Sequence, residues 1–365
     1  QDRYIIFLED KMDSPYSVDE PLEFLSAKAI ARREAQEIPI IEEDLPVNPS
    51  YVDQIKASGA DVFFQSKRFN AVLVQGEQGQ IAKIGALSFV KNLERVARGV
   101  RLSKSSRIKD VEDTERHEST ANDFQNNILG VNVLHEEGFK GEDMLIAFMD
   151  SGFEGVNLTA AFEHLYINDQ ILIDKNFVVN DNDGYSEEYG SHVTSVFSTV
   201  AAQLEDEFMG IAPNADFMLF ITEDLPTEYR VEEYNFLFAA EMADSAGVDV
   251  INTSLGYSFG FDDATMDYTV EQMDGATTVI TQAAERAFAK GILVVTSVGN
   301  EGSNSNWSIM TAPADGPNVL SVGAINSSEI RASFRALGPN ATGLTIPELM
   351  AVCTSTVVIN ASGNV

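Results

Sequence analysis

The chain has one cysteine, Cys353, in 365 residues. No disulfide can close within it, and the paired Cys/His spacings of structural zinc sites are missing. Packing has to hold it together. Basic side chains are scarce as well: 24 Lys and Arg stand against 57 Asp and Glu, a formal net charge of −33. The shortage is uneven, since residues 1–120 hold 17 basic and 21 acidic side chains and residues 121–365 hold 7 and 36. Phosphate binding needs clustered Lys and Arg, so nucleic acid is excluded as a partner of the second region. Long apolar runs are lacking too. Met144–Met149 falls far short of the roughly 20 residues a membrane helix needs, which leaves no membrane span. No G-x-G-x-x-G follows that run, which weighs against a dinucleotide-binding domain. No basic-then-apolar leader opens the chain; Gln1 followed by the strand-like Tyr4–Leu8 reads as a start left after a leader was removed, and secretion is permitted.

With 44% hydrophobic residues, a chain of this length is expected to build two domains. Tyr4–Leu8 reads as a strand, Pro21 starts a helical stretch carrying Leu22, Leu25, Ala29 and Ile30, and Tyr51–Ala57 is a second helix. Strands follow at Val62–Gln65 and Asn70–Gln75, then a helix on Ile81, Ile84 and Leu87, and a last strand at Phe89–Val96. Residues 1–100 thus form a small α+β domain of ferredoxin-like type. Residues 101–120, charged and Ser-rich without an apolar period, read as a linker. Across 121–365 the pattern becomes apolar strands (Met144–Met149, Asp216–Ile221, Val248–Ser254, Ile292–Ser297, Val319–Val322) alternating with helical stripes at Val193–Val200 and Ala276–Lys290. A doubly wound parallel sheet of α/β class is the natural solution.

In such sheets, functional groups sit where strands end. Asp150-Ser151-Gly152 directly follows Met144–Met149. His192, in Gly190-Ser191-His192, opens a helix, a poor position for positive charge and a good one for a general base. Val298-Gly299-Asn300-Glu301-Gly302 ends a strand with a side-chain amide placed to donate to a developing oxyanion. His117, His135 and His164 have no partner recognisable from spacing and read as structural or surface groups. Asp181-Asn182-Asp183-Gly184 has the oxygen-rich turn of a calcium loop without the Glu of an EF-hand, and reads as a solvated acidic turn.

In this order, the segments resemble the subtilisin-like serine protease family. Leu145–Gly152 is similar to its aspartate motif and Gly190-Ser191-His192-Val193 to its histidine motif, with Ser191 where Thr is usual. Asn252-Thr253-Ser254-Leu255-Gly256 resembles its substrate-binding strand, Gly299-Asn300 its oxyanion loop, and Gly210–Ala215, Pro313-Ala314 and Ser321–Ala324 its further landmarks. The region before residue 100 resembles the propeptide of such enzymes, and the whole resembles secreted subtilases of Bacteroidetes-like bacteria. The family's nucleophile motif, Gly-Thr-Ser-x-x-x-Pro, does not occur. Ser355 precedes a β-branched run that reads as a strand and is not nominated. Ile346–Ala351 looks like the segment before the motif, so the chain is expected to be truncated just short of the serine.

The resemblance implies a secreted or cell-surface serine endopeptidase precursor. Asp150, His192 and Asn300 would be catalytic, and Ser254, Leu255, Gly256 and Gly299 would bind a protein or peptide substrate. Its partners would be its own propeptide, residues 1–100, processed within 101–120, and a missing C-terminal segment or partner chain. No cofactor is required, no metal ligand is assigned, and calcium in a structural role is compatible with the family. The competing expectation is a non-catalytic pseudoprotease, or a fragment held by a partner as a binding or secretion intermediate.

Overall fold

The structure is a computed structural model that describes residues 1–99, 122–185 and 192–365; the expected linker and the Gly190-Ser191 segment lie outside them. The chain opens with β1 (Asp2–Leu8), α1 (Ala27–Ala35), α2 (Pro49–Lys56), β2 (Asp61–Ser66), β3 (Ala71–Gly76), α3 (Gln78–Gly85) and β4 (Val90–Ala97). The helix expected from Pro21 is a 3₁₀ turn, Pro21–Glu23, and α1 begins only after Ser26, whose side chain accepts the Ala29 N–H. That cap, rather than the proline, sets the start. In α2 both signals coincide: Pro49 is the first helical residue and Asn48 accepts from Ser50 N.

The four strands pair antiparallel in the order β2-β3-β1-β4. Alternation along them divides two cores. Ile6, Leu8, Val72 and Val74 pack on Val52, Ile55, Ile81 and Ile84 of α2 and α3, whereas Ile5, Ala71, Leu73 and Val96 join a cluster contributed mainly by the second domain. A sheet with one exposed face would alternate apolar and polar residues; Ala71-Val72-Leu73-Val74 is apolar throughout because both faces are covered.

The second domain begins with the short helices α4 (Asp123–Ile128) and α5 (Val131–Glu136). There follow β5 (Leu145–Asp150), α6 (Glu163–Ile167), β6 (Ile171–Asn176), α7 (His192–Ala201) and the two-residue strands β7 (Gln203–Leu204) and β8 (Phe208–Met209). The rest is β9 (Asp216–Ile221), α8 (Val231–Ala246), β10 (Val250–Thr253), α9 (Val279–Phe288), β11 (Leu293–Ser297), β12 (Leu320–Ile325) and β13 (Leu349–Val352). Seven strands form a parallel sheet in the order β13-β12-β11-β10-β5-β9-β6. The expected doubly wound α/β architecture is present.

β5, at the heart of the sheet, sends Ala147 and Met149 toward α8 and α9 and Phe148 to the opposite face. There Phe197 of α7 meets Phe148, Phe162 and Phe217 with ring centroids 5.0–5.4 Å apart. Two edge strands, β6 and β13, were not expected, and Thr356–Val358, expected as a strand, forms none. The extended segment lies instead just before it, in β13, where Leu349–Val352 pair with Val322–Ile325. The first domain's sheet lies over α8 and α9: Phe64 stacks on Phe238 at 5.3 Å and Phe69 meets Tyr234 edge-on at 6.2 Å.

Candidate active site

Parallel pairing brings the carboxyl ends of β5, β9, β10 and β11 to one edge. Met149 lies opposite Thr253, Thr253 opposite Thr296, and Asp150 opposite Ile221. Two bonds tie these ends together: Thr253 Oγ1 donates to the Met149 carbonyl at 2.9 Å and Thr222 N to the Asp150 carbonyl at 2.9 Å. The residues proposed from sequence on three of these strands, Asp150, Ser254–Gly256 and Gly299-Asn300, therefore leave the sheet side by side.

Asp150 is buried, and Ser151 N donates to its Oδ1 at 2.7 Å. Burial pushes its carboxyl above the usual range, while the charge of His192 and the backbone N–H groups of Ser151 and Ser254 pull it back. His192 is the first residue of α7 and is exposed, with Val193 and Phe197 on the buried face holding the helix to the sheet. Asn300 stands exposed two residues beyond Val298, after the turn at Gly299, where φ is +92°.

Ser254, Leu255 and Gly256 continue β10. Leu255 is buried in the core and Gly256 is exposed. The next residue, Tyr257, exchanges backbone hydrogen bonds with Ala312 at 2.9 and 3.0 Å, and Thr311 N reaches the Val298 carbonyl at 3.4 Å. The Thr311–Ala312 segment therefore spans the gap between the ends of β10 and β11. A Cβ on Gly256 would overlap the Thr311 hydroxyl, and one on Gly299 would lie 2.8 Å from it. Glycine at both positions keeps this gap open.

Sequence reasoning missed Glu223. It follows Thr222 at the end of β9, and both its carboxylate oxygens accept the Tyr257 hydroxyl, at 2.5 and 2.6 Å. Burial, with Glu228 and Asp150 nearby, pushes this carboxyl up to about 8. The signal was present: Thr222-Glu223-Asp224 directly follows the apolar Asp216–Ile221, the same pattern that drew attention to Asp150.

The acidic turn considered for calcium uses its carboxylates locally, with Asp183 N on Asp181 at 3.3 Å and Tyr185 N on Asp183 at 3.0 Å. Among the described residues no cluster of three His, Cys, Asp or Glu side chains suits a metal ion, and no helix is long and apolar enough to cross a membrane. His135 Nε2 lies 3.0 Å from the Ile211 carbonyl; His164 is on α6, away from the strand ends, and His117 is outside the described residues.

Comparison with known proteins bears on both domains. Residues 3–113 match a Peptidase S8 propeptide domain model of Bacteroidota, and residues 141–364 match the Subtilase family model. Subtilisin NAT of Bacillus subtilis subsp. natto is 30% identical over 208 residues, 56% of this chain and 47% of that protein. Subtilisin DY of Bacillus licheniformis is 28% identical over 213 residues, 58% of this chain and 67% of that protein. The chain spans about half the length of Subtilisin NAT and Subtilisin E. Among solved structures, a mutant of the epidermin leader peptide processing serine protease of Staphylococcus aureus superposes with TM-score 0.55 at 15% identity, covering 83% of this chain and 73% of that one. That likeness concerns the fold.

Proposed function

The chain belongs to the subtilase family, and from that premise we propose that it is the precursor of a serine endopeptidase. Asp150 orients His192 and supports the charge that builds on its ring, His192 takes the proton of a serine, and the Asn300 amide donates to the tetrahedral oxyanion. The serine is not in a Gly-Thr-Ser-x-x-x-Pro motif within residues 1–365, so the proposal places it outside them. A peptide substrate lies as an added strand along Ser254-Leu255-Gly256, bounded on the far side by Gly299. Proton transfer and acyl transfer here need no cofactor beyond these side chains.

Residues 1–100 act as the propeptide, an inhibitory and folding domain, cleavage falls within 101–120, and 121–365 carry the catalytic machinery toward a substrate outside the cell. Arg95 and Arg98, at the end of the first domain, bond to Asp263 at 3.0 and 2.9 Å, a few residues beyond the substrate strand.

The observation that carries the proposal is the buried Asp150 at the carboxyl end of β5, on the same sheet edge as the strand ends that lead to Ser254–Gly256 and Gly299-Asn300. A fluorophosphonate probe, which reacts with an activated serine, tests it on the natural full-length protein freed of its first domain. Labelling is expected, and Asp150→Asn and His192→Ala should each suppress it. Labelling that survives His192→Ala, or a folded protein that binds peptides without being labelled, sinks the protease reading; the second result favours a binding protein.

A further inference from the structure

Away from the strand ends, the contact between the two domains encloses a dense ionic cluster. Arg32, Arg33, Asp44, Lys67 and Arg68 of the first domain and Glu241, Asp244 and Lys290 of the second are all buried. Asp244 receives Arg32 at 2.7 Å, Arg33 at 2.8 Å, Arg68 at 2.5 Å and Lys67 at 3.3 Å. Glu241 accepts the backbone N–H of Lys67 at 2.7 Å and of Arg68 at 3.0 Å, and the Ser66 hydroxyl at 2.6 Å. Asp44 braces the cationic side: it pairs with Arg33 at 3.0 Å and with Arg68, while Lys290 crosses from the second domain to it at 3.2 Å.

Neither helix stability nor the chemistry at the strand ends calls for this cluster. Glu241 and Asp244 occupy the last turns of α8, where the helix dipole disfavours a carboxylate. Buried ion pairs can often be replaced by apolar side chains at no loss of stability, but removing one partner leaves an unpaired buried charge. Such pairs discriminate between partners more than they add affinity.

We propose that Asp244 and Glu241 form a charge-coded recognition site for the inhibitory domain, accepting a partner that presents three arginines and a lysine, two of the arginines braced by an aspartate, and retaining it after the connection is cut. This rests on the reading of residues 1–99 as a propeptide. Separated, the first domain keeps Lys11, Arg32, Arg33, Lys67 and Arg68 around the one buried carboxylate of Asp44, and the second keeps Glu241 and Asp244 beside Lys290 and Arg286. Each surface lacks what the other supplies, so a propeptide without these cations strands Asp244 unpaired. Because every charge in the cluster is buried, salt screens it little. The exposed pairs of Arg95 and Arg98 with Asp263, whose arginine side chains are 40% and 46% exposed, contribute less and are screened more.

The experiment uses the full-length protein carrying a site-specific protease sequence within residues 101–120, so that cutting does not depend on the protein's own activity. After the cut, release of the first domain is followed by size-exclusion chromatography in 0.05 and 0.5 M NaCl. The wild type should release it at rates differing by less than about threefold between the two salts. Asp244→Asn should speed release roughly 100-fold or more, whereas Asp263→Asn should act by less than about tenfold. If Asp244→Asn does not fold, Arg32→Ala, at the edge of the cluster, should still speed release about tenfold or more. Wild-type rates in the Asp244 or Arg32 variant, or release by salt alone, overturn the proposal. Fluorophosphonate labelling of the same samples reports on the protease reading separately.

Discussion

The Tyr257 hydroxyl lies 2.5 and 2.6 Å from the two carboxylate oxygens of Glu223, so the end of β9 is bound to the residue that follows Gly256, beyond the end of β10. A carboxyl pushed up to about 8 is protonated at neutral pH and can both donate to the phenol oxygen and accept from it.

The first prediction concerns that proton. Glu223 binds it more tightly folded than unfolded, where the ordinary value is 4.5. Its contribution to stability is complete below that value and is lost as pH rises toward about 8. Urea unfolding at pH 5 and pH 8 should show the wild type losing stability over this range. Glu223→Gln should lose less, by on the order of 1 kcal/mol. Glu233, pushed up to about 7 by burial, acts in the same direction, so the slope should flatten without vanishing. An unchanged slope in the variant means that Glu223 is ionised throughout.

The second prediction concerns the gap beside Ser254–Gly256, the strand proposed to bind the peptide. Gly256→Ala places a methyl group against the Thr311 hydroxyl and should lower kcat/KM by about tenfold or more. Thr311→Gly added to it should restore much of the loss by making room, while Thr311→Gly alone should leave peptide cleavage measurable. If the double variant is no better than Gly256→Ala, the Gly256–Thr311 contact is not the cause.

The third prediction separates catalysis from stability at Asp150. Burial raises this carboxyl, so ionising it costs folding energy, and Asp150→Asn should leave the melting temperature equal or higher at pH 8. Turnover should fall on the order of 10⁴-fold, the loss expected when an aspartate that orients a catalytic imidazole is neutralised. A variant that melts much lower, with turnover lost only in proportion to unfolded protein, would make Asp150 structural.

How much of this was legible in the sequence follows from the range of the interactions involved. Asp150, Ser254–Gly256 and Gly299-Asn300 stand directly after apolar runs, and the parallel sheet turns that local pattern into proximity. β6 was missed because Ile171-Leu172-Ile173 is followed by Asp174-Lys175-Asn176, an edge segment whose polar half breaks the buried pattern. Leu22 suggested a helical face yet is 73% exposed, and the start of α1 depends on the Ser26 cap instead. Arg32, Arg33, Lys67 and Arg68 look like solvated charges in a one-dimensional sequence. Their burial depends on Asp244, more than 170 residues away, a separation at which no local pattern operates.

The last prediction concerns the helix that carries His192. Phe197 is fully buried, and its ring meets Phe148 and Phe217 edge-on at 5.0 Å, stacks on Phe162 at 5.4 Å and touches Phe153 at 6.1 Å. It lies five positions after His192 on the same helix, so the ring fixes how α7 sits on the sheet and therefore where the imidazole stands relative to Asp150. Phe197→Ala should cost about 3–5 kcal/mol, because the surrounding rings belong to four different segments and cannot all close on the cavity. Phe197→Leu keeps most of the volume and should cost less than half as much. Activity provides the sharper test. Under conditions where both variants remain folded, a displaced α7 should lower kcat by about 100-fold in Phe197→Ala, since small misplacements of a base are expensive. If kcat in folded Phe197→Ala equals the wild-type value, α7 is held in place by Val193 and the residues before His192, and the aromatic cluster serves stability alone.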